Sequence, residues 1–145
     1  MGGEVIAKHF VALGGSNEGA EWLTLLWDAI QGLDDWYDND HADNPERTIH
    51  IVLHDLWAHP FFRQHGTYLL PHLSAMVLKW RAANQIEEEG RANERSFMWR
   101  AGFYDVVLMC LALCVGPEMA GRAAHKVVDM YGETLDEYLK EMNHA

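Results

Sequence analysis

Five aspartates fall within the ten residues Asp34–Asp43, DDWYDNDHAD, and three of them, Asp34, Asp35 and Asp38, share about one helical turn. The stretch leading in, Ala20–Leu33, carries Trp22, Leu23, Leu25, Leu26, Trp27, Ile30 and Leu33 at helical spacing. Carboxylates at a helix C-terminus face the negative end of the macrodipole, at a cost of a few tenths to ~1 kcal/mol each when exposed. They also repel one another, and either basic side chains or a bound divalent ion would relieve both effects. Asp34 and Asp38 stand at i, i+4, and Asp28, Gln31, Asp35 and Asp38 form an overlapping stripe. Carboxylates so spaced can chelate or bridge Mg²⁺ or Mn²⁺, hard ions that prefer oxygen. Asp34, Asp35 and Asp38 are therefore the candidate metal ligands, with a solvated acidic turn as the alternative. Asp40 and Asp43 fit the run-in to the next helix, where negative charge is favoured.

Asp105 lies inside AGFYDVVLMCLALCV, Ala101–Val115. A carboxylate among apolar neighbours needs a partner. That partner is either an internal cation such as Arg100, Arg95 or Arg47, or a tyrosine hydroxyl, a helix end or a metal shared with the acidic segment. His50 and His54 are i, i+4, a spacing that places two imidazoles on one ion or positions them for proton transfer. His54 and Asp105 are the candidate catalytic groups. Arg81, Arg91, Arg95 and Arg100 flank the Gln85–Gly90 bend, where they either pair with Glu87, Glu88, Glu89 and Glu94 or clamp a phosphate, with Arg95 and Arg100 as the candidate anion-holding pair.

The chain has 145 residues, 49% hydrophobic and 23% charged, which suits one soluble globular domain with a full core. Its 22 acidic and 11 basic residues give a formal charge of −11, which disfavours nucleic acid and anionic membrane as partners. Cys110 and Cys114 fall in an apolar run and read as buried thiols of a reducing, cytoplasmic compartment. No basic segment followed by an apolar stretch opens the chain, so no secretory leader is expected, and residues 1–3 are expected to be disordered or an appended start. The longest apolar run, Ala101–Val115, is too short to span a bilayer.

The elements that must position these groups are helical throughout. The spacing predicts helices over about Glu4–Leu13, then from a Ser16 or Asn17 cap to about Asp38, then Pro45–Trp57 behind an Asn44 cap. A loop is expected over His59–Gly66. Helices follow over about Thr67–Glu88, Asn93–Val115, Glu118–Tyr131 and Glu133–Met142, giving an all-α, single-domain antiparallel bundle of five to seven helices. The six tryptophans are core by default, with Trp36 and Tyr37 set apart by their place among the aspartates.

Asp34–Asp35–Trp36–Tyr37–Asp38 resembles the DDxxD motif of isoprenoid diphosphate and terpene synthases, all-α enzymes in which it binds the Mg²⁺ ions that hold a diphosphate. Followed by Tyr104–Cys114, it also resembles the all-α nucleotide pyrophosphohydrolases, which pair an EExxE helix with an ExxD helix leading into an apolar run; Gly102 stands where that pattern has its second glutamate. His54–Asp55 with His59–Pro60–Phe61 is similar to the HD phosphohydrolase signature, with Asp105 in the place of its distal aspartate. All three resemblances imply a Mg²⁺- or Mn²⁺-dependent enzyme acting on a phosphorylated small molecule, a nucleotide first among them, with the metal activating a water that attacks phosphorus. The competing expectation is a non-enzymatic acidic helical module that binds another protein without metal; a homo-oligomer is compatible with either.

Overall fold

The computed structural model describes residues 2–39 and 44–144; Asp40 and Asp43 lie outside the described residues. It is all-α, and no strand occurs among the described residues. The elements are α1 (Gly3–Ala12), α2 (Asn17–Tyr37), α3 (Pro45–His50), a π-helical turn (Ile51–Asp55), α4 (Leu56–Ala58), α5 (Pro60–Glu88), α6 (Glu94–Arg100), α7 (Phe103–Val115), α8 (Pro117–Val127), a 3₁₀ turn (Val128–Met130) and α9 (Leu135–His144).

Local chemistry explains most of the boundaries. Ser16 caps α2 by accepting from the Gly19 amide at 3.0 Å, and Asn44 caps α3 by accepting from Arg47 at 3.1 Å, with Pro45 at a first-turn position that needs no amide donor. The turn between α1 and α2 uses Gly14 at φ +104°, and a Cβ on Gly15 would run into the Phe10 ring. Asn93 and Ser96 cap α6 reciprocally, each side chain bonding the other's backbone.

Four expectations are corrected. Gly3 is not part of a disordered start but opens α1 and is buried, where a Cβ would lie 2.8 Å from Thr24 Cγ2. His59–Gly66 is not a loop: Pro60 takes a first-turn position of α5, and the His59 ring accepts from the Phe61 amide at 3.1 Å, so residues read as breakers begin the longest helix. The expected Asn93–Val115 helix is two, α6 and α7, bent by 46°. A side chain on Gly102 would press on Met76 of α5 at 3.2 Å, so the bend sits where two helix backbones come close. These splits, and the π turn inside Pro45–Trp57, raise the count beyond five to seven.

The core is built where α2 and α7 meet α1, α5 and α8. Trp22, Leu23, Val106, Val107, Cys110 and Leu111 are fully buried in it. The Trp22 indole is inside because its N–H reaches the Leu56 carbonyl at 2.9 Å. No single helix among the described residues is long and apolar enough to cross a membrane; α6 and α7 together have the length but are bent, and the apolar side of α7 is spent on this core.

Candidate functional site

A cavity of about 400 Å³ opens where α2, the α6–α7 bend and the segment leading into α9 meet. Its walls are aromatic: Trp27, Trp80, Phe97, Phe103, Tyr131 and Tyr138 all contribute. Trp27 meets Phe103 edge to face at 5.2 Å between ring centres, and Tyr104 stacks on Tyr131 at 4.2 Å. The Tyr104 hydroxyl donates to the Met130 carbonyl at 3.1 Å. Burial pushes the Tyr104 phenol up to about 12. Burial, with a hydrogen bond to Glu87, does the same for Tyr138, also to about 12. Both phenols thus stay protonated and act as donors, not bases.

The polar end is organised by Arg100, the last residue of α6. Its guanidinium bonds Asn84 Oδ1 at 2.6 Å, Glu87 Oε1 at 3.0 Å and Asp34 Oδ1 at 3.3 Å. The same Asp34 oxygen lies 3.4 Å from the Trp80 indole N–H. Glu87 in turn accepts from the Tyr138 hydroxyl at 2.6 Å, and that hydroxyl is 2.7 Å from Ser96 Oγ. Glu133 also lines the cavity, and its carboxyl is raised by desolvation and then by Glu141. Asp34 and Glu133 thus line the cavity with one arginine, which Glu87 also pairs from behind, and the polar end carries an excess of negative charge.

The residues singled out by sequence are distributed over three places. Asp34 and Arg100 meet on the cavity wall. Asp35 and Asp38 do not line the cavity; Asp38 is the C-cap of α2. Arg95 is exposed on α6, outside the cavity, where its backbone amide donates to the Asn93 cap. Asp105 is not sealed in the core: it sits on the α7 surface and accepts from Lys79 Nζ at 2.7 Å, an ion pair lying against the Trp99 ring. Its partner is thus a lysine and none of the three arginines expected. Asp34, Asp35, Asp38 and Asp105 do not gather three ligand atoms within 4.8 Å of one another; among the described residues only His50, His54 and Asp55 do so.

His50 and His54 lie on the outer face of the π turn, and the Nδ1 atom of each is 2.9 Å from the same oxygen, Asp55 Oδ1. Those hydrogen bonds, His54's first, hold the Asp55 carboxyl below the ordinary aspartate value. Of the two thiols expected to be buried, Cys110 is buried and free, with burial raising its pKa, whereas Cys114 is only half-buried and lies 3.5 Å from the Ser16 amide and hydroxyl. Along α5, Tyr68, Leu70, Val77 and Leu78 are exposed.

Sequence reasoning missed Trp80, Glu87, Glu133 and Tyr138 as site residues. The sequence pattern offers Glu87 only as a salt-bridge partner and Trp80 only as core. No family model, curated protein or solved structure matches the chain. Fold and site together define the class: an all-α bundle with an aromatic, acid-ended cavity.

Proposed function

We propose that the protein binds a small organic cation in the aromatic cavity, its charged head between Asp34 and Glu133 and its apolar body against the rings. The observation that carries this reading is the charge at the polar end: Asp34 and Glu133 line the cavity, and Arg100, the one cation on its wall, is already paired with Asp34 and with Glu87 behind it. About 400 Å³ falls in the range of ordinary ligand sites. Aromatic faces attract cations by ~0.5–2 kcal/mol each, more as water is excluded. A free phosphate would meet the opposite field, and its natural anchor, Arg100, is already held by two carboxylates.

The experiment is a titration followed by tryptophan fluorescence with three probes of matched size: benzyltrimethylammonium, its neutral tert-butyl analogue and benzyl phosphate. The expected order is cation over neutral over anion, with Asp34→Asn weakening only the cation. Equal affinities, or preference for the phosphate, refute the reading.

One observation favours a second reading, a Mg²⁺- or Mn²⁺-dependent enzyme acting on a phosphorylated compound: Asp34, the first residue of the DDxxD-like segment, shares the cavity wall with Arg100. A divalent ion would reverse the local charge and admit a phosphate. This reading requires benzyl phosphate or a nucleotide to bind only with Mn²⁺ or Mg²⁺, and that metal-supported binding to be lost in Asp34→Asn. If no small molecule enters the cavity with or without metal, the acidic protein-interaction module is the reading that stands.

A further inference from the structure

We infer that His50, His54 and Asp55 form a surface site for a borderline transition-metal ion such as Zn²⁺ or Co²⁺, separate from the aromatic cavity. Two independent observations carry this. The first is the donor set. His50 Nδ1 and His54 Nδ1 each lie 2.9 Å from Asp55 Oδ1, and the three residues offer one ligand atom each, all within 4.8 Å of one another. Ligands at about 2.0–2.1 Å from a tetrahedral ion stand roughly 3.3 Å apart, so each nitrogen–oxygen separation needs to open by only a few tenths of an ångström. Two imidazoles and one carboxylate suit zinc, cobalt, nickel or copper and not magnesium or calcium.

The second observation is the backbone. In a regular α-helix, i and i+4 share a face, which accounts for His50 with His54. Residue i+5 would be rotated by about 140° from residue i, putting Asp55 on another face. Here the π-helical turn Ile51–Asp55 intervenes, and a π turn closes i onto i+5, so Asp55 comes round beneath His50. Such turns are rare inside α-helices and gather at functional sites. This one is held from both ends. The Trp57 indole N–H donates to the Val52 carbonyl at 2.6 Å, and the buried Trp22 indole holds Leu56 from α2. The two imidazoles are about two-thirds exposed, so an ion can reach them from solution and keeps open positions for water or a further ligand.

The competing account is an ion pair of protonated histidines with Asp55 and no affinity for metal. Isothermal titration of the intact chain with Zn²⁺, and with Co²⁺ followed by its visible absorption, separates the two. Expected is one saturable site at which His50→Gln or His54→Gln weakens binding by about tenfold to a hundredfold or more. The site takes up Zn²⁺ and Co²⁺ while Mg²⁺ at equal concentration neither binds nor competes. Both substitutions are at exposed side chains, and unchanged circular dichroism confirms that the fold is retained. His72→Gln and His125→Gln, elsewhere on the surface, leave affinity unchanged. The inference is overturned if wild type shows no saturable uptake, or if the His50→Gln/His54→Gln double variant binds as wild type does. Arg100 variants do not touch this site, so its fate is independent of the cavity's.

Discussion

Replacing Arg100 by methionine tests whether the polar end of the cavity is a structural hub. The guanidinium is 24% exposed, Glu87 12% and Asp34 31%, so the cluster lies between a surface pair and a buried one. Exposed pairs contribute ~0–1 kcal/mol. Removing one partner of a fully buried pair costs ~3–5 kcal/mol, because a charge is left uncompensated. Methionine keeps the apolar stem but strips donors from Asn84, Glu87 and Asp34 together. Tyr138 still donates to Glu87, which softens the loss there. We expect a destabilisation of about 2–3 kcal/mol between those limits, read as a fall in urea midpoint at unchanged slope. For a chain of this size it corresponds to roughly 6–10 °C in Tm. Glu87→Gln combined with Arg100→Met isolates the pair, with a coupling of ~1–2 kcal/mol expected. A loss below ~0.5 kcal/mol with no coupling would mean the cluster behaves as a solvated surface pair, and the argument from burial would be wrong.

Two further outcomes follow from the same structure. Gly32→Ala should destabilise by a net ~1–2 kcal/mol in urea melts even though alanine favours helix by ~1 kcal/mol, because the new Cβ meets buried Thr48, whose Cγ2 is only 2.7 Å away. Thr48→Ala in the same chain should restore most of the loss, and a gain in stability from Gly32→Ala alone would contradict the close α2–α3 approach. Glu133→Gln should raise Tm at neutral pH and leave it unchanged well below the ordinary glutamate value: a carboxyl whose folded pKa is raised favours folding while protonated and loses that advantage as pH rises through the raised value.

Most of the fold was legible because its signals are local. The apolar spacing of Ala20–Leu33, the Ser16 and Asn44 caps and the Gly116–Pro117 break each act within a turn or two of chain, and each falls where expected. The errors came where one residue type has two meanings. Pro60 reads in the sequence as a breaker, yet proline in a first turn is a helix starter. Gly102 falls within a run spaced like one helix, but its missing side chain is needed by Met76, a neighbour 26 positions away. The π turn left no periodic trace, since one inserted residue shifts the apolar phase without erasing it.

The site was half legible for a related reason. Asp34 and Arg100 were each singled out, on charge at a helix end and on clustering, but their meeting across 66 positions is a tertiary fact. The acidic helix end needs a cation, and Arg100 supplies one; that removes much of the electrostatic reason for a metal at Asp34. The same contact bears on the ligand. To reach Arg100, a phosphate must displace Asp34 or Glu87 from it, leaving a part-buried carboxylate beside the incoming anion, unless a divalent ion arrives with it. A cationic head displaces nothing and gains the two carboxylates that line the cavity, Asp34 and Glu133. The ordering of benzyltrimethylammonium against benzyl phosphate, and whether Mn²⁺ inverts it, therefore reports directly on which partner Asp34 keeps.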